Sequence, residues 1–335
     1  MNLDATNSST PAYNRWITDA AVKIELDAQY RAMREQAGVL ARPQRTRIDV
    51  AGAEAAEYLQ GQLTNDVEAL EPGQGCYAAL LDRKGHLQSD LRALRLDQQA
   101  LLLDAEAAPG EALLKHLSMY KIGRDVEVVD RSADAAMVSV LGPRSQQLTG
   151  AESLTGEHDH LEVELGGVTA RAVATEHGVD LLVDGSAAPS VVEALLGAGA
   201  EAVSEEAAEI LRVESGRPRF GLEMGPEAMP AEAGIVERAV NFKKGCYIGQ
   251  EPVARLHYRG RPNRVLRGLR LSSAAERGVA LRLGEKEVGR LGTTGVSPAL
   301  GPIGLAIVRR EAEPGATLEL DDGVTAEVVE LPFPI

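Results

Sequence analysis

The sequence predicts a mixed α+β protein with more than one hydrophobic core, ending in a small all-β domain. The chain has 335 residues with 44% hydrophobic content, and single cores stop growing below this length. Helix-like and strand-like apolar patterns alternate as far as Val213. From Val265 onward, short alternating runs with Gly and Pro turns predict a β-barrel or sandwich.

The chain divides into three parts. Residues 1–22 are polar and predict a disordered tail. Residues 23–260 open with a helix, since apolar residues recur at helical spacing from Leu26 to Ala37, and Gly38 is placed to cap it. Residues 261–335 form the β domain.

Further elements follow within residues 23–260. Tyr77 to Leu81 and His86 to Leu96 predict two strands joined by a tight turn. Helices are predicted near Pro109, over Val191 to Leu196, and over Glu205 to Val213. Another helix begins near Gln250, where Pro252 is allowed in the first turn.

Composition points to a protein of the reducing cytoplasm. No apolar run approaches the ~18 residues that span a bilayer, and the N-terminus lacks the pattern of a signal peptide, so we expect no membrane association. The net charge of -15 excludes generic nucleic-acid binding, and no direct nucleic-acid partner is expected. However, residues 238–270 contain nine basic residues and one acid, Glu251, which favours an anionic ligand or partner there.

The cysteine count argues against a resident metal. With Cys76 and Cys246 alone, the chain holds too few thiols for an iron–sulfur cluster, which usually takes four. Any cluster that Cys246 touches needs ligands from a partner or a second copy. The segment from Glu157 to His160 is polar and predicts an exposed loop rather than a metal site. We therefore expect no stably bound metal.

Cys246 is the strongest candidate for a reactive side chain. Lys243 and Lys244 precede it, glycines flank it, and the helix predicted near Gln250 follows. A thiol near lysines and a helix N-terminus is biased toward thiolate, which attacks electrophiles or binds soft metals. We expect an accessible thiol with a lowered pKa. For Cys76, at the start of an apolar strand, a buried structural role is expected.

Asp90 is the second candidate. On the strand that begins at His86, alternation places Asp90 and Arg92 on one face. That face is either solvated or lines a pocket, where Asp90 is able to hydrogen-bond a ligand nitrogen or act as a general base. The chain has no phosphate loop, nucleophile elbow or paired-histidine metalloprotease helix, so the standard NTPase, hydrolase and dehydrogenase functions lack support.

Several segments together resemble the glycine cleavage T-protein (aminomethyltransferase) family. They are Gly85-His86-Leu87-Gln88-Ser89-Asp90-Leu91, Leu141-Gly142-Pro143, Leu211-Arg212-Val213-Glu214-Ser215-Gly216 and Pro230-Ala231-Glu232-Ala233-Gly234. The resemblance implies a three-lobed cloverleaf with two intertwined α+β lobes and a C-terminal β-barrel. It also implies a bound tetrahydrofolate or folate derivative. Asp90 falls on the family's folate aspartate and Arg212 on its folate-lining arginine.

Lys244-Gly245-Cys246-Tyr247-Ile248-Gly249-Gln250-Glu251 resembles the signature of the YgfZ-type branch, which true T-proteins lack. This resemblance implies a folate-binding accessory factor for assembly or repair of iron–sulfur enzymes, whose partners are those enzymes or their assembly proteins. Besides Asp90 and Arg212, we assign six residues to the folate site. They are Asp180, Glu214, Lys244, Tyr247, Gln250 and Glu251.

One segment departs from the T-protein pattern. Family members carry Tyr-Thr-Gly-Glu-Asp-Gly-x-Glu in the folate pocket, whereas this chain has Ala174-Thr175-Glu176-His177-Gly178-Val179-Asp180. The tyrosine is missing and Asp180 replaces the longer glutamate. We therefore expect aminomethyl transfer in glycine cleavage to be slow or absent.

Three hypotheses stay open on the sequence. The first is an iron–sulfur maturation factor in which folate fills a central pocket and Cys246 acts at its rim. The second is a tetrahydrofolate-dependent aminomethyl or methyl transferase anchored by Asp90, which makes the chain an enzyme. The third, a structural module without folate, leaves Asp90 and Arg212 unexplained. Cys246 and Asp90 are the catalytic candidates.

Overall fold

The computed structural model describes residues 25–42 and 44–335, so the predicted tail over residues 1–22 lies outside the described residues. The helices are α1 Leu26–Glu35, α2 Ala55–Gln62, α3 Gly110–Tyr120, α4 Ser145–Thr149, α5 Ala188–Gly197, α6 Glu205–Glu214, α7 Val236–Ala239 and α8 Gln250–Arg259. Across the described ranges, no helix is long and apolar enough to cross a bilayer.

Within the described residues, eighteen strands form three sheets, one in each lobe. The strands are β1 Gly38–Arg42, β2 Arg45–Ala51, β3 Gly75–Leu81, β4 Leu87–Arg95, β5 Ala100–Glu106, β6 Glu127–Asp130, β7 Ala135–Leu141, β8 His160–Leu165, β9 Val168–Thr175, β10 Gly178–Asp184, β11 Glu201–Ala202, β12 Arg264–Leu271, β13 Ala280–Leu283, β14 Lys286–Arg290, β15 Thr294–Ser297, β16 Gly301–Arg309, β17 Thr317–Glu319 and β18 Thr325–Val329. The first sheet has the order β3-β4-β5-β2-β6 and the second has the order β11-β1-β7-β10-β9-β8.

The first two lobes are intertwined through β1. This strand precedes the whole first sheet in the chain, yet it pairs with β7 and β11 of the second sheet. The sequence prediction that Gly38 caps the first helix is wrong, because α1 ends at Glu35 and Gly38 begins β1. A Cβ on Gly38 would lie 2.7 Å from side-chain carbons of Met33 and Val203, so glycine is needed for close packing.

The alternation of side chains along each strand divides the interior into layers. In the first sheet, Leu91 and Leu103 pack under α2 and α3. In the second, Val138 and Leu181 pack under α5. The intervening residues of both sheets face each other, and five of them form a small apolar core between the sheets. These are Leu94, Leu102, Met137, Val173 and Leu182.

The third lobe is a closed barrel of six strands. Its order is β12-β18-β17-β13-β14-β16, and pairing of β12 with β16 closes it, while β15 extends from β16. The interior is filled by leucine and valine side chains such as Leu269, Leu281 and Val308. Of the two architectures that the sequence left open, the structure shows the barrel.

A buried carboxylate joins α1, α6 and the barrel. Glu214, at the end of α6, has 1% of its surface exposed. It accepts hydrogen bonds from Tyr30 Oη at 3.2 Å and Ser297 Oγ at 2.5 Å, and it forms an ion pair with Arg34. Because these partners come from α1 and from β15, the single carboxylate holds together elements that are distant in the chain.

We predict that Glu214→Ala lowers the free energy of unfolding by about 2–3 kcal/mol, since it strands a partly buried arginine and two hydroxyl groups. Urea unfolding followed by circular dichroism measures the change. The matched control is Glu162→Ala, which removes the exposed partner of Arg171 and should cost less than about 1 kcal/mol. Equal losses of unfolding free energy for the two substitutions would contradict a structural role for the contacts of Glu214.

Candidate functional site

A cavity of about 240 Å³ opens between the first two sheets, beside α6. Asp90, Asp180 and Arg212 all lie in its wall. The same alternation that builds the cores places Asp90 and Arg92 of β4, Asp104 of β5 and Asp180 of β10 on the faces between the sheets. Polar side chains from separate strands therefore converge on one space.

Arg45, Arg92, Asp104 and Asp180 form a buried ionic network in the cavity wall. Asp104 accepts hydrogen bonds from Arg45 Nη2 at 2.6 Å and from Arg92 Nη2 at 2.6 Å. Arg92 Nη1 also donates to Asp180 Oδ2 at 2.7 Å, which links the first sheet to the second. Although burial alone raises the pKa of Asp104, the two arginines hold it well below its usual range. The network is thus charged at neutral pH.

Asp180 is committed to protein partners. Besides Arg92, it accepts a hydrogen bond from Ser139 Oγ at 2.6 Å. Burial by itself raises the pKa of Asp180, but the charges of Arg92 and Arg42 and the Ser139 hydrogen bond lower it below its ordinary value. Asp180 lines the cavity as a fixed anion whose two oxygens are already engaged.

Asp90 differs because one of its oxygens has no partner. Tyr77 Oη donates to Asp90 Oδ2 at 2.8 Å, whereas the buried Oδ1 accepts no hydrogen bond from the part of the chain that the structure describes. Burial raises the pKa of Asp90 to about 6, against the stabilising hydrogen bond from Tyr77. A carboxylate with such a pKa is ionised at neutral pH and is a stronger base than an ordinary carboxylate.

Arg212 forms one side of the cavity but is fully engaged. Its guanidinium donates to Glu209 at 2.8 Å, to Glu223 at 2.9 Å and to Thr293 Oγ1 at 2.6 Å. Thr293 precedes β15, so Arg212 ties α6 to the barrel. Glu214, which the sequence analysis also assigned to the folate site, is absent from the wall of this cavity and belongs to the joint described above.

The segment from Lys244 to Glu251 lies apart from the cavity, none of whose lining residues comes from it among the described residues. Cys246 is exposed and Tyr247 is buried. Gln250 begins α8, as predicted, and Glu251 lies in its first turn. Gly249, at φ 81°, packs so closely on Asp82 that a Cβ would lie 2.4 Å from the carbonyl oxygen.

Lys244 points into the protein rather than toward Cys246. Its Nζ donates to the carbonyl oxygens of Gln60 at 2.6 Å, Leu63 at 2.6 Å and Asn65 at 3.0 Å. Burial lowers the pKa of Lys244 to about 8. The expectation that both lysines act on the thiol therefore needs correction, because the Lys244 ammonium is satisfied by backbone carbonyls.

The basic stretch contributes little to the cavity. Of its nine basic residues, Arg238 alone lies in the wall, where it forms an ion pair with Glu157. Arg264 and Arg267 pair with Glu232 and Glu330. Nothing in these contacts marks Lys243 to Arg264 as the place for a ligand's carboxylates.

Two histidines were misjudged from the sequence. His158 and His160 are both buried, although their polar segment predicted an exposed loop. His158 lies in the cavity wall, and within the described ranges neither of its ring nitrogens has a hydrogen-bond partner. Tyr77 and Asp104 were also missed, but strand alternation from Asp90 could have found Tyr77, which lies on the same face of the neighbouring strand. No local pattern signals the burial of His158.

Residues 25–42 and 44–335 contain no group of three or more His, Cys, Asp or Glu side chains arranged to hold a metal ion. The wall of the cavity consists of a fixed ionic frame and a few unpartnered atoms.

Comparisons with known proteins agree with this geometry. Residues 10–244 match the GCVT N-terminal domain family. An aminomethyltransferase of Rubrobacter xylanophilus is 31% identical over 321 residues, covering 92% of this chain and 86% of that protein. A putative chloroplastic transferase of Arabidopsis thaliana is 30% identical over 300 residues, covering 86% of this chain and 69% of that protein.

Among solved structures, the glycine cleavage system aminomethyltransferase T from Bartonella henselae is similar, with a TM-score of 0.81 at 22% identity. The match covers 92% of this chain and 89% of that one. This similarity confirms the three-lobed fold that the sequence motifs implied.

We predict that the Asp90 carboxyl titrates near pH 6 and that Tyr77→Phe moves the midpoint upward, because the tyrosine hydroxyl stabilises the ionised form. Carboxyl ¹³C NMR of the aspartate-labelled protein measures both midpoints, and Asp90→Asn identifies the signal. A midpoint at the ordinary value of 3.8 would mean that Asp90 is solvated rather than enclosed.

Proposed function

This chain belongs to the superfamily of the glycine cleavage T-protein, and from that premise we propose that it is a tetrahydrofolate-dependent one-carbon transferase, with the ligand in the central cavity. One observation carries the proposal. Asp90 Oδ1 is buried in the cavity wall without a hydrogen-bond partner from residues 25–42 or 44–335, which is costly unless a ligand donor completes the site. The similarity to curated aminomethyltransferases favours this function over the iron–sulfur accessory role.

The residues in the cavity fit a reduced pterin. Its ring carries N–H groups, and an ionised carboxylate accepts hydrogen bonds only. Bound tetrahydrofolate would supply the nitrogen to which the one-carbon unit is attached. Asp90 Oδ1 is placed to accept the proton that leaves such a nitrogen, while Tyr77 Oη holds the other carboxylate oxygen at 2.8 Å.

The ionic network keeps this arrangement rigid. Arg92 lies two residues from Asp90 on β4, and its guanidinium is fixed by Asp104 and Asp180 at 2.6–2.9 Å. A strand held by two buried carboxylates leaves Asp90 little freedom to move away from the ligand. A general base requires such preorganisation, because its accepting oxygen must lie within hydrogen-bond distance of the proton that it removes.

We predict that calorimetry detects binding of tetrahydrofolate and that ¹³C-labelled aminomethyl groups pass slowly from a lipoyl carrier protein to it. The transfer should be slow because the Ala174 to Asp180 segment departs from the T-protein pattern. Asp90→Asn should reduce the transfer rate about 100-fold, since the base is lost while the shape is kept. Transfer that is no faster with the wild-type protein than with Asp90→Asn would refute the transferase role.

A second candidate function is an accessory role in the maturation of iron–sulfur enzymes. It is supported by the signature from Lys244 to Glu251, which resembles the YgfZ-type branch, and by the exposure of Cys246 in the segment that precedes α8. An exposed thiol at a helix start is available to an incoming electrophile or to a cluster that a partner holds. In this role the partners are iron–sulfur enzymes or their assembly proteins.

We predict that Cys246→Ser folds normally but fails to restore iron–sulfur enzyme activities in cells lacking the protein, because serine is a poor soft-metal ligand. Cys76→Ser is the matched control. Burial raises the pKa of Cys76 to about 12, so alkylation of the native protein near pH 7.5 should label Cys246 alone. Full restoration by Cys246→Ser would leave the thiol without a function in this process.

A further inference from the structure

We propose that His158 is a specificity-determining ligand contact, which hydrogen-bonds the amide edge of the reduced pterin ring through one of its ring nitrogens. The inference rests on the proposed function, since it assigns part of the same cavity. It concerns a residue that the ionic network and Asp90 leave unexplained.

The first observation is an unmet hydrogen-bonding capacity. His158 has 7% of its surface exposed and lies in the cavity wall. Neither Nδ1 nor Nε2 has a hydrogen-bond partner among the described residues, although buried polar atoms are nearly always paired. A histidine with a purely structural role normally fixes its ring through at least one nitrogen. Here both are left for a molecule that enters the cavity.

The second observation is the backbone at this position. His158 has a φ of 72°, which makes it the one residue other than glycine in the left-handed region among those described. The loop holds it there, because His158 N donates to Ala174 O at 2.8 Å and Asp159 Oδ2 accepts from Gly156 N at 2.7 Å. Unfavourable backbone conformations that the surroundings enforce cluster at ligand-binding sites.

The charges around the ring decide its chemical form. Burial, Arg92 and Arg238 disfavour the imidazolium, while Glu157 and Asp180 favour it, and the balance lowers the pKa of His158 to about 4. The Tyr77 ring lies 6.4 Å away, between centroids, and carries no charge at neutral pH. The imidazole is therefore neutral, with one N–H donor and one acceptor nitrogen.

These properties define the ligand edge. The two ring nitrogens point in diverging directions, so one of them meets the ligand edge, either as a donor to the C=O of the pterin's cyclic amide or as an acceptor from its N–H. Asp90 Oδ1, in the same wall, accepts a further N–H. The two residues together favour a heterocycle with several ring N–H groups over a carboxylate or phosphate ligand, to which Asp90 is repulsive.

The test compares His158→Phe with His158→Asn by calorimetry. Phenylalanine keeps a flat ring but removes both nitrogens, so tetrahydrofolate should bind about tenfold or more weakly. Asparagine supplies a donor and an acceptor and tolerates positive φ, so His158→Asn should retain most of the affinity. Thermal unfolding of each variant is recorded alongside. If His158→Phe does not fold, His158→Gly removes the imidazole without backbone strain and gives the same readout.

Two fragments locate the contact. The His158→Phe substitution should weaken binding of 6-methyltetrahydropterin, which has the ring edge alone, by the same factor as binding of tetrahydrofolate. It should not change the affinity for p-aminobenzoylglutamate, which has the tail alone. Unchanged tetrahydrofolate binding by His158→Phe and His158→Gly, or a loss confined to the tail fragment, would overturn the inference and leave the proposed function standing. A wild-type protein that binds no tetrahydrofolate would overturn both.

Discussion

The pairing of Arg92 with Asp104 and Asp180 is the interaction on which the rest of the site depends. It joins β4 and β5 of the first sheet to β10 of the second, in the layer that also holds the small apolar core between the sheets. Buried charges in such a layer are tolerated only when each has an oppositely charged partner, because removal of one partner leaves the other charged groups buried and unpaired. The network thereby fixes the spacing of the two sheets, and the cavity is the space that this spacing leaves.

A consequence is that most charged groups in the wall are unavailable to a ligand. Asp180 is held by Arg92 and Ser139, and Arg212 by two glutamates and Thr293. Asp90 Oδ1, Arg238 Nε and the ring nitrogens of His158 remain without partners among the described residues. Recognition therefore falls to a few atoms on a rigid ionic frame, which suits a polar heterocycle better than a highly charged molecule.

The sequence predicted those features that depend on local periodicity. The strands around Asp90 and the β character after Val265 follow from the spacing of apolar residues, whereas the helix at Gln250 follows from Pro252, which is allowed in a first helical turn. It failed where distant segments decide the outcome. Gly38 begins a strand because β7 and β11 lie ready to pair with it, and His158 is buried because other segments of the chain enclose a loop of polar composition.

Lys244 links the segment from Lys244 to Glu251 with the cavity wall, two regions that the sequence analysis assigned to a single folate site. Its ammonium holds the carbonyl oxygen of Asn65, and the Asn65 amide donates to the backbone oxygen of Tyr77 at 2.8 Å. Tyr77 in turn donates to Asp90. The segment that exposes Cys246 thus supports the strand that positions the carboxylate, although it contributes nothing to the cavity wall. A lysine in this signature has a structural reason to be there whichever chemistry the neighbouring thiol performs, because three buried carbonyl oxygens would otherwise lose their donor.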